Sequence, residues 1–307
     1  MPSVLPRVGL SELMEQFNCE IKCREYLESL RWPEGPACPK CGKKEIARVV
    51  NREAVLRCKG CQTQFSVTAG TVFNDSHLPL AKWFIAVFLL CESKKGVSAL
   101  QIQRILKIGG YKTAWYLCHR IRSAMAEASK PKLSGQIEMD ETYVGGRGKG
   151  LTQRGRGTKK LPVLGIRQRN GELRMFHAED VTTRSLEKFL RESVSDDVEV
   201  FFTDELTTYR GIAKRFGFVH KAVSHSTKEY VRGEAHTNTI ESAFSLFKRG
   251  LRGSWHKISA KHLQAYLEEM CFRFNRRNTE TLFQDTLRQM VNASTLTFEA
   301  LTKESAA

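Results

Sequence analysis

Four of the nine cysteines stand as two Cys-x-x-Cys pairs, Cys38-Pro39-Lys40-Cys41 and Cys58-Lys59-Gly60-Cys61, with 16 residues between them. Such a turn brings two thiolates to one side of a loop, and two turns complete a tetrahedral shell around one Zn(II). Four sulfur ligands leave no open position, so the site reads as structural rather than catalytic. Gly42, after the first pair, and Gly60, within the second, give the backbone room to approach the sulfurs. The pattern predicts a zinc ribbon at 35–70, on the short β-like segments ARVV, AVLRC and TQFSVTAG. Cys19 and Cys23, four apart on a predicted helix, read as packed thiols rather than ligands. An odd cysteine total with a metal-type pattern points to a reducing compartment, not a disulfide framework.

Charge narrows the partner. The chain of 307 residues carries 49 Lys+Arg against 33 Asp+Glu, a net +16. Residues 38–134 hold 17 of those bases and 5 of the acids, so +12 of the surplus lies in 97 residues. A basic block attracts a polyanion by releasing condensed counterions, which points to nucleic acid. With 41% apolar and 9% aromatic residues the composition is that of a packed protein, which excludes wholesale disorder. The longest strongly apolar run, Trp83–Cys91, is far below the ~20 residues of a membrane span. The N-terminal MPSVLPRVGLSELMEQF lacks the pattern of a secretory signal. The expected location is therefore cytoplasmic and nucleoid-associated, with no membrane partner.

Periodicity predicts a helix over 10–31, capped by Ser11 and ended by Trp32-Pro33-Glu34-Gly35-Pro36, as an N-terminal segment (1–34) before the ribbon. A helical region follows at 71–130. Within it VSALQIQRILKI, Gly109-Gly110 and the helix from Tyr111 match a helix–turn–helix, with Lys112, Thr113, His119, Arg120 and Arg122 as DNA contacts and Trp115 and Leu117 facing inward. After a linker at 130–135 the period changes. QIEMDETYVG, LPVLGIRQ, ELRMFHAE and VEVFFTD read as strands, with TRSLEKFLRESV as a helix before the fourth and helices from YRGIAKRF onward, an α/β arrangement. The α/β domain is expected at 135–290 and a tail at 291–307.

The informative acids lie in that domain. Asp140 sits in Glu138-Met-Asp-Glu-Thr-Tyr143 and Asp204 ends the apolar run Val198–Asp204; 36 residues separate Asp204 from Glu241. Carboxylates on core strands are costly unless paired or bound to a cation. On the helix around Glu241, Ile240, Ala243, Phe244, Phe247 and Leu251 form an apolar stripe, and Glu241 and Lys248 line up along its flank. Asn238-Thr-Ile-Glu241 also has capping-box spacing, in which Glu241 bonds back to the helix start. Lys248, Arg249 and Arg252 read equally as solvated charge. Residues 145–160 hold Arg147, Lys149, Arg154, Arg156, Lys159 and Lys160 with no acid, a segment suited to gripping a phosphate backbone. Its glycines do not form a P-loop, since Gly148-Lys149 is followed by Gly150.

CPKC…CKGC, EMDETYVGG, FFTDELTTY, HTNTIESAFSLFKRGLRG and RFNRR together resemble the DDE-type bacterial insertion-sequence transposases, in the zinc-ribbon family numbered fifteen-ninety-five, related to the Merlin elements. These motifs span residues 38 to 277. The resemblance implies a multidomain chain whose zinc ribbon and helix–turn–helix-like region precede an RNase H-like catalytic domain. It implies Asp140, Asp204 and Glu241 as ligands of two Mg(II) or Mn(II) ions, Lys248 as a phosphate-holding lysine, and Asn238 as the rival third ligand. The implied activity is binding of terminal inverted repeats, end cleavage and joining of 3′-hydroxyl ends to duplex target DNA, by a homodimer or higher oligomer. Two other functions compete: a non-catalytic zinc-ribbon DNA-binding regulator derived from a transposase, and a ribbon-bearing nuclease acting on RNA.

Overall fold

The computed structural model describes residues 7–126, 130–145, 160–204, 207–223 and 237–303. Two units divide it. One comprises residues 1–126 with 276–307, the other 127–275.

In the first unit the expected N-terminal helix is two: α1 (Leu10–Gln16) and α2 (Glu20–Arg31). Gly9, not Ser11, caps α1, and Cys19 caps α2. The break lets Leu13 and Phe17 both turn inward, where the Phe17 ring meets Tyr26, Phe84 and Phe283 at 5.0, 4.8 and 6.5 Å. The ribbon sheet, β1 (Ile46–Val49), β2 (Arg52–Cys58) and β3 (Gln64–Phe65), is antiparallel in chain order. Its small core is Cys38, Leu56, Cys58 and Phe65. Arg31 at the end of α2 donates from Nη1 to the carbonyls of Val67 (2.6 Å) and Ala69 (2.9 Å), tying the ribbon to the helices.

The centre of this unit is α3 (Leu80–Glu92), which buries seven side chains on one broad face. Against it pack α5 (Tyr111–Met125) and, from the far end of the chain, α10 (Leu282–Asn292), while α4 (Ala99–Ile105) lies on α5, where Phe298 of α11 (Phe298–Thr302) meets Tyr116. The division between units thus falls after Asn275, not at 290. Leu282, Phe283, Leu287, Met290 and Val291 form the buried face of α10, which packs on α2, α3 and α5.

Among the described residues the second unit is built on five strands: β4 (Leu133–Val144), β5 (Leu161–Gln168), β6 (Leu173–His177), β7 (Val194–Asp204) and β8 (Val219–Val223), in the order β6-β5-β4-β7-β8. The first three pair antiparallel, and β7 and β8 join parallel to β4. β4 begins inside the expected linker, because Leu133 is a core residue. β8 was not expected; His220 and Lys221 interrupt its alternation, and pairing with β7 supplies what local pattern lacks. α6 (Thr183–Ser193) and α7 (Thr207–Phe216) cover one face over Ile137, Met139, Leu164, Ile166 and Phe201. α8 (Asn238–Gly250), a π-helical turn (Leu251–Trp255) and α9 (Ala260–Asn275) cover the other, over Val144, Val163, Leu173 and Met175.

RFNRR contributes to this unit through Asn275. Its Oδ1 accepts from Leu173 N at 2.8 Å and its Nδ2 donates to Leu173 O at 3.0 Å. Gln264 Oε1 accepts from His177 N at 2.8 Å. Two amide side chains of α9 thereby serve backbone groups of the edge strand β6, which would otherwise invite pairing with another chain.

Candidate active site and metal centre

β4 and β7 run parallel with Glu138 opposite Phe202. Side chains alternate faces along a strand, so Asp140 and Asp204, each two residues beyond that pair, come to the same face. It is the face under α8. On β5 the partner of Asp140 is Gly165, and a Cβ there would come within 2.5 Å of Phe244 Cζ and 2.9 Å of Ile240 Cδ1. The glycine lets α8 lie close on the sheet, which places Glu241 one turn into the helix and Lys248 two turns beyond. We expect Gly165→Ala to cost roughly 1–3 kcal/mol by overpacking, read as a lowered melting temperature. Gly171→Ala, whose Cβ meets only the flexible Gln168 side chain, should cost less.

Electrostatics record the convergence. The Asp140 carboxyl is held well above the ordinary carboxylate range, first by burial and then by the charge of Glu141, with Asp204 and Glu241 adding to it. A hydrogen bond from Glu141 N at 2.8 Å opposes this without cancelling it. Burial lowers the Lys248 ammonium; Asp140 opposes that shift, while Arg252 and Lys160 add to it. Asp140 therefore feels Asp204, Glu241 and Lys248, and Lys248 in turn feels Arg252 and Lys160. Exposed Arg249 donates from Nε to Ser245 O at 3.3 Å, within its own helix.

The donor set suits a hard divalent cation: anionic oxygens from two strands and a helix, whose mutual repulsion raises the proton affinity of Asp140 and would be relieved by positive charge. The set is open, however. Among the described residues, the four ribbon cysteines are the group of three or more potential ligands whose atoms all lie within 4.8 Å of one another.

The capping box does not form. Thr237, not Asn238, caps α8, and its hydroxyl donates to Glu241 Oε1 at 2.9 Å. Asn238 is exposed at the first helical position. The helix start is served instead by Glu138, a residue to which the sequence reading assigned no role. Fully buried, it accepts from Ile240 N at 3.1 Å and from the Thr239 hydroxyl, and pairs with Arg169 Nε at 2.9 Å. Arg169 in turn lies 3.7 Å over the Phe202 ring. On the opposite face Glu141 accepts from the Tyr209 hydroxyl at 2.6 Å. An acid two residues from a candidate ligand, on the same strand face, is the only sequence signal that would have marked Glu138.

In the ribbon, Cys38 Sγ and Cys61 Sγ are 3.5 Å apart, and Cys41 Sγ and Cys58 Sγ 3.6 Å. Thiolates sharing one zinc at ~2.3 Å stand about 3.8 Å apart, so the quartet fits a structural zinc with small adjustment. Each knuckle closes alike: Gly42 N on Cys38 O and Gln62 N on Cys58 O, both at 2.9 Å. The left-handed positions are Gly42 (φ 74°) and Gln62 (φ 61°). At Gly60 a Cβ would meet the flexible end of the Lys43 side chain, 2.5 Å from its Cδ, which can move aside.

The proposed reading helix needs correction. α4 and α5 exist, but α5 is mostly a core helix: His119, Arg120 and Arg122 are only 1%, 3% and 1% exposed, which leaves them no access to a DNA groove. Arg120 lies 5.1 Å over both the Trp83 and Tyr116 rings and donates to Asn74 O. Lys112 and Thr113, in the first turn, remain on the surface, with Lys112 Nζ 4.1 Å over the Phe298 ring. Arg147, Lys149, Arg154, Arg156 and Lys159 lie outside the described residues. Among those described, no helix is long and apolar enough to cross a membrane.

Comparison with known proteins finds a family match over each of the two regions that hold the acids and the ribbon cysteines. The model of the ISXO2-like transposase domain matches residues 132–275, and that of the transposase zinc-ribbon domain matches residues 19–64. A protein of Halobacterium salinarum, described as an uncharacterized protein in transposable element ISH50, is 31% identical over 278 residues, spanning 85% of this chain and 92% of its own. Among solved structures, a chain of the simian T-cell lymphotropic virus intasome in complex with PP2A regulatory subunit B56 gamma overlaps 74% of this chain and 78% of its own at 10% identity. Its TM-score of 0.32 is too small to bear on the fold.

Proposed function

The chain belongs to the ISXO2-like transposase family, and from that premise we propose that it cuts the ends of its own insertion sequence and joins them to target DNA at the Asp140–Asp204–Glu241 site. The observation that carries this reading is the parallel register of β4 and β7, which brings two aspartates to one sheet face under the helix bearing Glu241 and Lys248. The strand order, three antiparallel strands extended by two parallel ones, supports an RNase H-like catalytic domain. Asp140, Asp204 and Glu241 would hold the divalent cations, and Glu241 is preferred to exposed Asn238 because an anionic oxygen suits a hard cation better than an amide.

Bound there, two Mg(II) or Mn(II) ions supply activation of the attacking oxygen and neutralisation of charge at phosphorus and on the leaving oxygen. The protein does the rest. Lys248, with Lys160 and Arg252 behind it, holds a backbone phosphate beside the acids. Phe244 and Ile240, packed against Gly165, keep Glu241 at a fixed height above the sheet. The same pocket serves both steps, since the 3′-hydroxyl freed by the first cut takes the place of water in the second. Lys112 and Thr113 at the start of α5 and the basic segment 145–160 supply duplex contacts, and synapsis of two ends calls for at least a dimer.

The test is cleavage of a duplex carrying the element's end in Mg(II), followed by transfer of the freed 3′ end to plasmid DNA. Metal-dependent cutting and joining is expected. Tight duplex binding without any cutting would favour the non-catalytic regulator, and cutting of RNA but not DNA would favour the nuclease alternative.

A further inference from the structure

We propose that Glu138 is a positioning residue: its buried carboxylate locks the start of α8 onto β4 and thereby sets the distance between Asp140 and Glu241. The inference rests on the site reading above.

Three observations converge. Glu138 and Asp140 are two apart on β4 and share a strand face. One oxygen of Glu138 takes both the Ile240 amide, at 3.1 Å, and the Thr239 hydroxyl. Those are the two residues that immediately precede Glu241. A single side chain therefore spans from the strand that carries one acid to the turn that carries another. The second oxygen is held by Arg169 Nε at 2.9 Å, and Arg169 is itself fixed 3.7 Å above Phe202, the β7 residue in register with Glu138. The link reaches all three elements that bear the acids. Arg167 reinforces it from β5, donating from Nη1 to Thr239 O at 3.2 Å.

A helix start buried against a sheet needs partners for its free amides. A short polar cap would satisfy them locally; here the partner comes from 102 residues earlier in the chain, which a cap alone does not require. Residues that orient metal ligands without touching the metal typically change metal affinity or activity by about 10–100-fold when altered.

The variants are Glu138→Asp, which keeps the charge and shortens the reach by one methylene, and Thr239→Val, which removes one donor and keeps the shape. Mn(II) affinity is measured by calorimetric titration of the full-length protein and confirmed by Mn(II) electron paramagnetic resonance. Glu138→Asp should weaken Mn(II) binding by about 10–100-fold, and the end-cleavage rate should fall with it, while duplex affinity without divalent metal stays at the wild-type value. Thr239→Val should move in the same direction by a smaller factor. It also decides the matter if Glu138→Asp does not fold. Wild-type Mn(II) affinity in a folded Glu138→Asp or Thr239→Val protein would overturn the proposal. If Asp140→Asn leaves Mn(II) binding unaltered, the site reading itself has failed. If Asp140→Asn abolishes binding while the Glu138 and Thr239 variants match wild type, only the positioning role has failed.

Discussion

Asp140→Asn should reduce both end cleavage and strand transfer by on the order of 10³-fold or more, while binding to the transposon end is retained, because a divalent site that loses one anionic ligand loses its charge balance and its geometry together. The fold should survive, and indeed gain. Folding raises the pKa of Asp140 above its unfolded value through burial and the charges of Glu141, Asp204 and Glu241. A carboxyl with a raised folded-state pKa favours the native state when protonated. That preference is lost as pH climbs from the unfolded value near 4 through the folded one. Above the unfolded value and without divalent metal, holding Asp140 in this buried, acid-rich place therefore costs stability. Asn keeps the Oδ1 acceptor for Glu141 N and carries no charge, so the variant should melt higher than wild type in chelator. Mg(II) should raise the wild-type melting temperature and leave that of Asp140→Asn nearly unmoved. An Asp140→Asn protein that cuts at the normal rate in Mg(II) would remove the basis of the assignment.

The second large effect concerns the ribbon. Stripping zinc should unfold residues 36–70, since structural zinc binding is worth about 10–16 kcal/mol and is itself the folding energy of so small a core. Only Cys38, Leu56, Cys58 and Phe65 are buried in its cluster, and two of these are ligands. Cys58→Ser, at a fully buried ligand, should give chains with no zinc and a protease-sensitive ribbon. The sheet unit should keep its own melting transition, because the apolar clusters on its sheet include no ribbon residue. Metal analysis with limited proteolysis reads both outcomes: one zinc per wild-type chain and none in the variant is expected. A chelated protein with an intact, protected ribbon would contradict the account.

Much of this was legible in the chain. The ribbon was, because ligand spacing is a local property: two turns of fixed length carry the thiolates wherever the rest of the fold goes. Among the described residues, seven of the eight strands lay in segments read as β, and α8 and its apolar stripe appeared where the period placed them. β8 was not seen, since a short strand broken by His220 and Lys221 owes its form to β7. Nor was the break between α1 and α2, where apolar spacing continues through residues that leave the helix to let Phe17 turn inward. His119, Arg120 and Arg122 show the sharpest difference. Cations on a helix suggest a solvent face, yet rings of Trp83 and Tyr116 and a carbonyl of Asn74 accommodate Arg120 in the interior.

Sequence alone determined the zinc ribbon, the kind of chemistry its acids suit and the family motifs, because each depends on residue type and short spacing. Tertiary structure decided which acids share a face and which cations reach the surface. The register of β4 on β7 brings Asp140 and Asp204 to one sheet face, and α8, resting on Gly165 and Glu138, carries Glu241 over that face. Register and helix docking arise from contacts more than sixty residues apart, and no local pattern encodes such a distance.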